Sequence, residues 1–212
     1  MTMRAYPETY LNSAMSAMGD AFDYAVNDCE IAGGEFAKIF SASTACKRME
    51  KGEVNYLAGK SGIEIVVESV LEVTGKELDI TPHERYDRTA EYWCGWATCY
   101  YQWWSSHKYA DIFRAVSFDE ILSLYPTLHE ASEEKFAEAI DDKIRKAYPE
   151  TKLKRIRMAY GCSQRELAEK SGVSLRCIQM YEQRNKDINK AQSDALYRLA
   201  KVLGCTMEDL LE

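Results

Sequence analysis

An all-α fold is expected from this sequence, and three observations predict it. Apolar residues recur every three or four positions through most long segments, the period of a helix with one buried face. Ser163-Gln164-Arg165-Glu166 is a Ser-x-x-Glu capping box, which satisfies orphan amides at a helix start. Gly75 and Gly172 stand just past periodic runs, where a left-handed residue closes a helix. At 212 residues the chain has room for one sizeable core and a smaller second domain. Pro149-Glu150 is read as the boundary, giving a helical domain over residues 1–149 and a second over residues 150–212.

Taken in order, Thr2 to Asn27 reads as a helix entered at Pro7, with Leu11, Ala14, Met15, Met18, Ala21 and Phe22 on one face. Gly33-Gly34 separates it from a short segment, Phe36 to Phe40, and Ser43 to Glu50 adds a turn or two. Gly52 to Gly62 reads as a loop. Ile63 to Thr74 fits an amphipathic helix through Ile63, Val66, Val67, Val70 and Leu71, although its β-branched residues also suit a strand. Leu78 to Asp87, with Pro82, reads as irregular. From Thr89 to Ser106, the residues Trp93, Trp96, Tyr100, Trp103 and Trp104 fall at helical spacing and make one broad aromatic face. It is read as the central core helix; the sharper alternative exposes part of it, among Tyr92, Trp93, Trp96 and Trp104, as a protein-binding anchor. Ser117 caps a short helix to Leu124, and Pro126 opens the next turn. Ser132 to Tyr148 is a charged helix carrying Phe136, Ile140 and Ile144 at four-residue spacing. Pro149 ends it, because the residue before a proline avoids helical geometry.

In the last quarter, Leu167 and Ala168 give the capped helix a small apolar face, and Gly172 ends it. Ser174 then caps a second helix, with Leu175, Ile178 and Tyr181 at three-residue spacing. Helix, Gly-containing turn and second capped helix together make a helix-turn-helix.

Composition excludes several classes. Hydrophobic residues make up 46% of the chain, which is a globular rather than a disordered balance. The N-terminus lacks the layout of a signal peptide, and no apolar run approaches the length of a membrane span, so a soluble cytoplasmic protein is expected. Seven cysteines, with no Cys-x-x-Cys pair, read as reduced thiols of such a protein. Histidines occur only at His83, His107 and His129, in separate segments without a metal-ligand neighbour. Gly59-Lys60-Ser61 lacks the glycine that a phosphate loop needs five residues earlier, where Val54 stands. No nucleophile–base pair is visible, so the chain is read as non-enzymatic and without a cofactor. The net charge of −7 hides an asymmetry: 12 basic and 8 acidic residues follow position 150, leaving 15 and 26 before it. A phosphate backbone would attract the C-terminal part and repel the rest.

The segment from Thr151 to Glu212 resembles the lambda-repressor and Cro-like family of DNA-binding domains. Leu153-Lys154-Arg155-Ile156-Arg157 looks like the family's first helix. Gln164, Glu166-Leu167-Ala168, Ser171-Gly172-Val173-Ser174, Ile178 and Tyr181-Glu182 match its core signature. Leu196, Leu199-Ala200 and Leu203-Gly204 look like the fourth helix, and Met207 to Leu211 like the fifth. The resemblance implies a five-helix domain that lays its second motif helix in the major groove of double-stranded DNA. Ser174, Leu175, Arg176 and Gln179 would then face the bases, Arg176 forking onto guanine and Gln179 onto adenine. Gln164 would touch a phosphate and brace the reading helix, while Arg165, Arg184, Asn185 and Lys186 would hold the backbone. Where the family often has a glycine after Tyr-Glu, this chain has Gln183-Arg184-Asn185-Lys186, and Asn185 is expected to take the left-handed turn. Binding as a homodimer on near-palindromic sites is also implied.

The N-terminal half, through Tyr10-Leu11-Asn12-x-Ala14-Met15, Phe22-Asp23-Tyr24-Ala25-Val26 and Gly59-Lys60-Ser61-Gly62, resembles antitoxin-like regulators of gut Firmicutes. That resemblance implies an autorepressor whose acidic domain binds a protein such as a cognate toxin. Two alternatives stay open. One is a one-component repressor sensing an apolar ligand between Trp93, Trp96 and Trp103; the other is an inhibitor of phage or mobile-element origin whose acidic domain mimics nucleic acid.

Overall fold

The structure, a computed structural model, describes residues 4–83 and 86–212. Every regular element among them is helical, as the periodicity predicted. Two compact units are formed, Arg4–Ala147 and Tyr148–Glu212.

The first unit is built around α1, Leu11–Asn27, which packs against α4, Gly62–Thr74, and α5, Ala90–Ser105. Two glycines set how closely these axes approach. A Cβ on Gly95 would fall onto the Met18 carbonyl of α1, and one on Gly62 onto the backbone of Ala17 and Ala21. Between them α1 buries Met15, Met18, Ala21 and Phe22. The Phe22 ring meets Phe36 edge-on at 4.9 Å and stacks on Phe118 at 5.3 Å. Around this centre run α2, Gly33–Ala42, α3, Thr44–Glu50, α6, Tyr109–Ala115, α7, Phe118–Leu122, and α8, Tyr125–Leu128. The charged helix α9, Glu133–Ala147, docks through Phe136, Ala137, Ile140 and Ile144. Tyr101 Oη of α5 also donates to Asp141 Oδ1 of α9 at 2.6 Å.

Ser61 and Ser117 each open a helix with a full capping box, answered by Glu64 and Glu120. Several boundaries differ from expectation. Helix α1 starts at Leu11, after Pro7 and a 3-10 turn over Glu8–Tyr10, because Pro7 sits outside the helix as its N-terminal flank; Thr2 and Met3 lie outside the described residues. The expected loop at 52–62 contains a π turn, Asn55–Gly59, that buries Tyr56 and Leu57. Helix α6 carried too short an apolar pattern to be anticipated. Of the irregular stretch 78–87, Glu84 and Arg85 lie outside the described residues; Ile80 accepts a hydrogen bond from Tyr24 Oη at 2.7 Å.

The second unit contains α10, Lys152–Tyr160, α11, Gln164–Ser171, α12, Leu175–Glu182, and α13, Ser193–Leu203. Leu153, Leu167, Ile178, Tyr181, Leu199 and Leu210 meet in its core. The fifth helix of the expectation is only a 3-10 turn, Glu208–Leu210. Asp209 caps it by accepting the Thr206 amide and hydroxyl, and just beyond it Glu212 is bonded to Asn189.

Candidate nucleic-acid interface

Helices α11 and α12 meet around Gly172, whose φ of 68° is the left-handed geometry that the tight turn requires. Each helix is started by a serine. Ser163 and Glu166 form the predicted capping box, and the Ser174 hydroxyl accepts the Cys177 amide. These local bonds fix where α12 begins and therefore which side chains face outward. Ile178, Tyr181 and Glu182 turn inward, while Ser174 and Arg176 are exposed and Leu175, Gln179 and Met180 are half-buried. Of the four residues expected to read bases, Ser174 at the cap and Arg176 are exposed, and Leu175 and Gln179 are partly so.

A polar hub holds that helix from behind. The Glu182 side chain is 2% exposed and receives three charge-assisted donors. Arg157 Nε and Nη2 donate to its two oxygens at 2.6 and 2.9 Å, and Gln164 Nε2 donates to Oε2 at 2.7 Å. Arg157 Nη1 goes on to the Cys162 carbonyl at 2.7 Å. Hydrogen bonding to Glu182 raises the Arg157 pKa further above its ordinary value, so the guanidinium stays charged. One carboxylate therefore ties α10, α11 and the end of α12 together. Sequence reasoning gave Gln164 a bracing role and supplied Tyr181-Glu182 as a family signature. It did not single out Arg157 as the partner, because residues twenty-five positions apart carry no periodic signal.

The expected phosphate contacts divide into two groups. Arg165, Asn185 and Lys186 are exposed; the Lys186 ammonium lies 3.7 Å from Cys177 Sγ and over the Tyr181 ring. Arg184 is different. Its own backbone, φ 55°, makes the left-handed turn that was assigned to Asn185. Its guanidinium donates to the carbonyls of Tyr148 and Pro149, both at 2.8 Å, and pairs with Glu212 at 3.0 Å. Those three acceptors explain why a bulky residue holds a conformation that glycine or asparagine usually fills.

In the first unit, the residues considered as an exposed anchor are largely covered. Tyr92 lies under the Arg88 guanidinium, and Trp93 packs edge-on against Tyr125 and Phe136. Only Trp96 and Trp104 keep partial exposure, and Trp104 stacks on Tyr101. Of the residues expected to line a ligand site, Trp93 and Trp103 are buried, with Trp103 Nε1 donating to the Tyr6 carbonyl at 2.8 Å, and Trp96 keeps partial exposure. The aromatic helix is core because its rings pack against Tyr125 and Phe136 as well as on one another.

No group of three or more metal-ligating side chains occurs among the described residues, and no helix among them is long and apolar enough to cross a membrane. Compared with known proteins, residues 153–210 match a helix-turn-helix family model. That match supports a DNA-binding transcriptional regulator. No curated protein and no solved structure matches the chain.

Proposed function

From a chain that carries a helix-turn-helix over residues 153–210, we propose a sequence-specific operator-binding autorepressor of the antitoxin type. The single observation that carries DNA reading is the outward placement of Arg176 and Gln179 on a helix locked from behind by the Glu182 hub. Both side chains offer paired hydrogen-bonding groups that match purine edges in the major groove, guanine for Arg176 and adenine for Gln179. Ser174 and Leu175 complete the face, and Arg165, Asn185, Lys186 and Gln164 border it on the phosphate side. The protein acts as a homodimer in the cytoplasm, and its acidic N-terminal unit engages a protein partner such as a cognate toxin. The balance of 26 acidic to 15 basic residues before position 151 favours a basic partner for that unit and keeps it off the phosphates.

Arg176→Ala is expected to cost about 1–3 kcal/mol on the preferred duplex and to relax specificity at one base pair. Equal losses on preferred and random duplexes would remove Arg176 from the reading face. Lys186→Ala is expected to weaken all duplexes alike and to flatten the slope of log affinity against log salt by about one. A slope identical to wild type would place the ammonium away from the DNA.

Expression of the open reading frame beside this gene, alone and together with the full chain, tests the antitoxin assignment. Growth arrest by the neighbour, relieved by co-expression and accompanied by co-purification, supports it. A harmless neighbour that forms no complex removes it, and leaves DNA binding to be judged on the duplex measurements.

A further inference from the structure

Glu212 makes contacts that connect the entry of the second unit to the loop behind the reading helix. Its side chain accepts the Lys152 amide at 2.5 Å, at the first turn of α10, and the Arg184 guanidinium at 3.0 Å. Its backbone is held as well: the Glu212 amide donates to Asn189 Oδ1 at 2.9 Å, and Asn189 Nδ2 donates to the Glu212 carbonyl at 3.1 Å. Arg184 in turn grips the carbonyls of Tyr148 and Pro149. The backbone of the same arginine closes α12, because its amide donates to the Tyr181 carbonyl at 3.1 Å. Two residues on, the Lys186 amide returns to the Met180 carbonyl at 3.1 Å.

We propose that Arg184, Asn189 and Glu212 form a clasp that positions the reading helix and couples it to the linker at Tyr148–Pro149. Arg184 and Glu212 are thus positioning residues rather than DNA contacts. The inference rests on the proposed DNA reading and adds its regulation: Tyr148 follows directly on the last residue of α9, so a partner that pulls on that linker draws the guanidinium from its carbonyls. The left-handed turn at Arg184 then loses what stabilises it, and the C-terminal end of α12 loosens.

Charge makes the test discriminating. Glu212→Gln removes a negative charge beside the reading helix, so simple electrostatics would tighten DNA binding, whereas a clasp requires weaker binding. Arg184→Lys keeps the positive charge that a phosphate contact needs, yet an ammonium cannot span two carbonyls and a carboxylate in one plane. The probe is a duplex selected from a random pool by the wild-type full chain. Both variants are expected to bind it about fivefold or more weakly, the ratio equivalent to about one hydrogen-bonded ion pair. Amide exchange should quicken together at residues 148–152 and 183–187 and stay unchanged in residues 4–147. Binding that holds or improves overturns the clasp, as does exchange that rises in only one of the two segments. If the wild type selects no duplex, the DNA-reading proposal itself fails. The exchange measurement still decides the clasp, faster exchange in both segments sustaining it and unchanged exchange removing it.

Discussion

Arg157→Ala is expected to cost the C-terminal unit about 3–5 kcal/mol, the usual loss when one partner of a buried ion pair is removed. The reason lies with what remains. Glu182 would keep its burial, but of the donors that face it now only the Gln164 amide would remain. At about 0.05–0.15 kcal/mol per residue, a unit of this size is stabilised by only about 3–10 kcal/mol, so the loss approaches unfolding at physiological temperature. The measurement is simple because all four tryptophans, Trp93, Trp96, Trp103 and Trp104, lie in the first unit. Urea titration followed by far-ultraviolet circular dichroism should show an early, partial transition in the variant while tryptophan fluorescence stays at the wild-type midpoint. Replacing Arg157 and Glu182 together by Met and Leu should recover much of the loss, since a well-packed apolar pair of similar volume avoids the cost of burying charge. A single variant that melts within about 1 kcal/mol of wild type would mean that the pair behaves as an exposed one.

Gly95→Ala is expected to act on the other unit, at about 3 kcal/mol, the upper end for overpacking. The added methyl meets the Met18 carbonyl, which belongs to a helix backbone and cannot rotate aside as a side chain would. Either α1 and α5 separate, opening voids around Phe22, or the helix bends. In this variant the fluorescence transition should shift to lower urea, and the component of the dichroism signal that tryptophan does not report should keep its midpoint. Gly34→Ala serves as the control, because a Cβ at that position meets nothing within 4 Å. Equal midpoints for the two glycine variants would show that the helix pair has slack.

How much of this was legible in the sequence depends on the range over which each feature is encoded. Helix entries at Ser117, Ser163 and Ser174 and exits at Gly75 and Gly172 were read directly, because a cap is a relation between residues three or four apart. The exposure of Arg176 followed from the inward Ile178 and Tyr181 by helical phase, and Gln179, at the flank, is half-buried. Features set by distant partners were not legible. The left-handed residue was assigned to Asn185 on intrinsic preference, but Arg184 takes that turn because Tyr148, Pro149 and Glu212 hold its far end. The last helix was expected from the family resemblance over Met207 to Leu211, but the chain forms only a 3-10 turn there, with Glu212 beyond it bonded to Asn189. The aromatic face looked large enough to spare a ring for a partner; Tyr125, Phe136 and Tyr6, none of them adjacent in sequence, use most of it.

The three Ser-x-x-Glu boxes bear on the order in which the chain folds. Each closes a loop of only a few residues, so its closure entropy is small and it needs no distant contact to form. The slow events are left to closures such as Trp103 on the Tyr6 carbonyl, 97 residues apart, which must wait for collapse to bring their ends together. The helix-turn-helix unit has long closures of its own, such as the Glu212 side chain on the Lys152 amide, 60 residues apart, so its caps too precede contacts that only collapse can make.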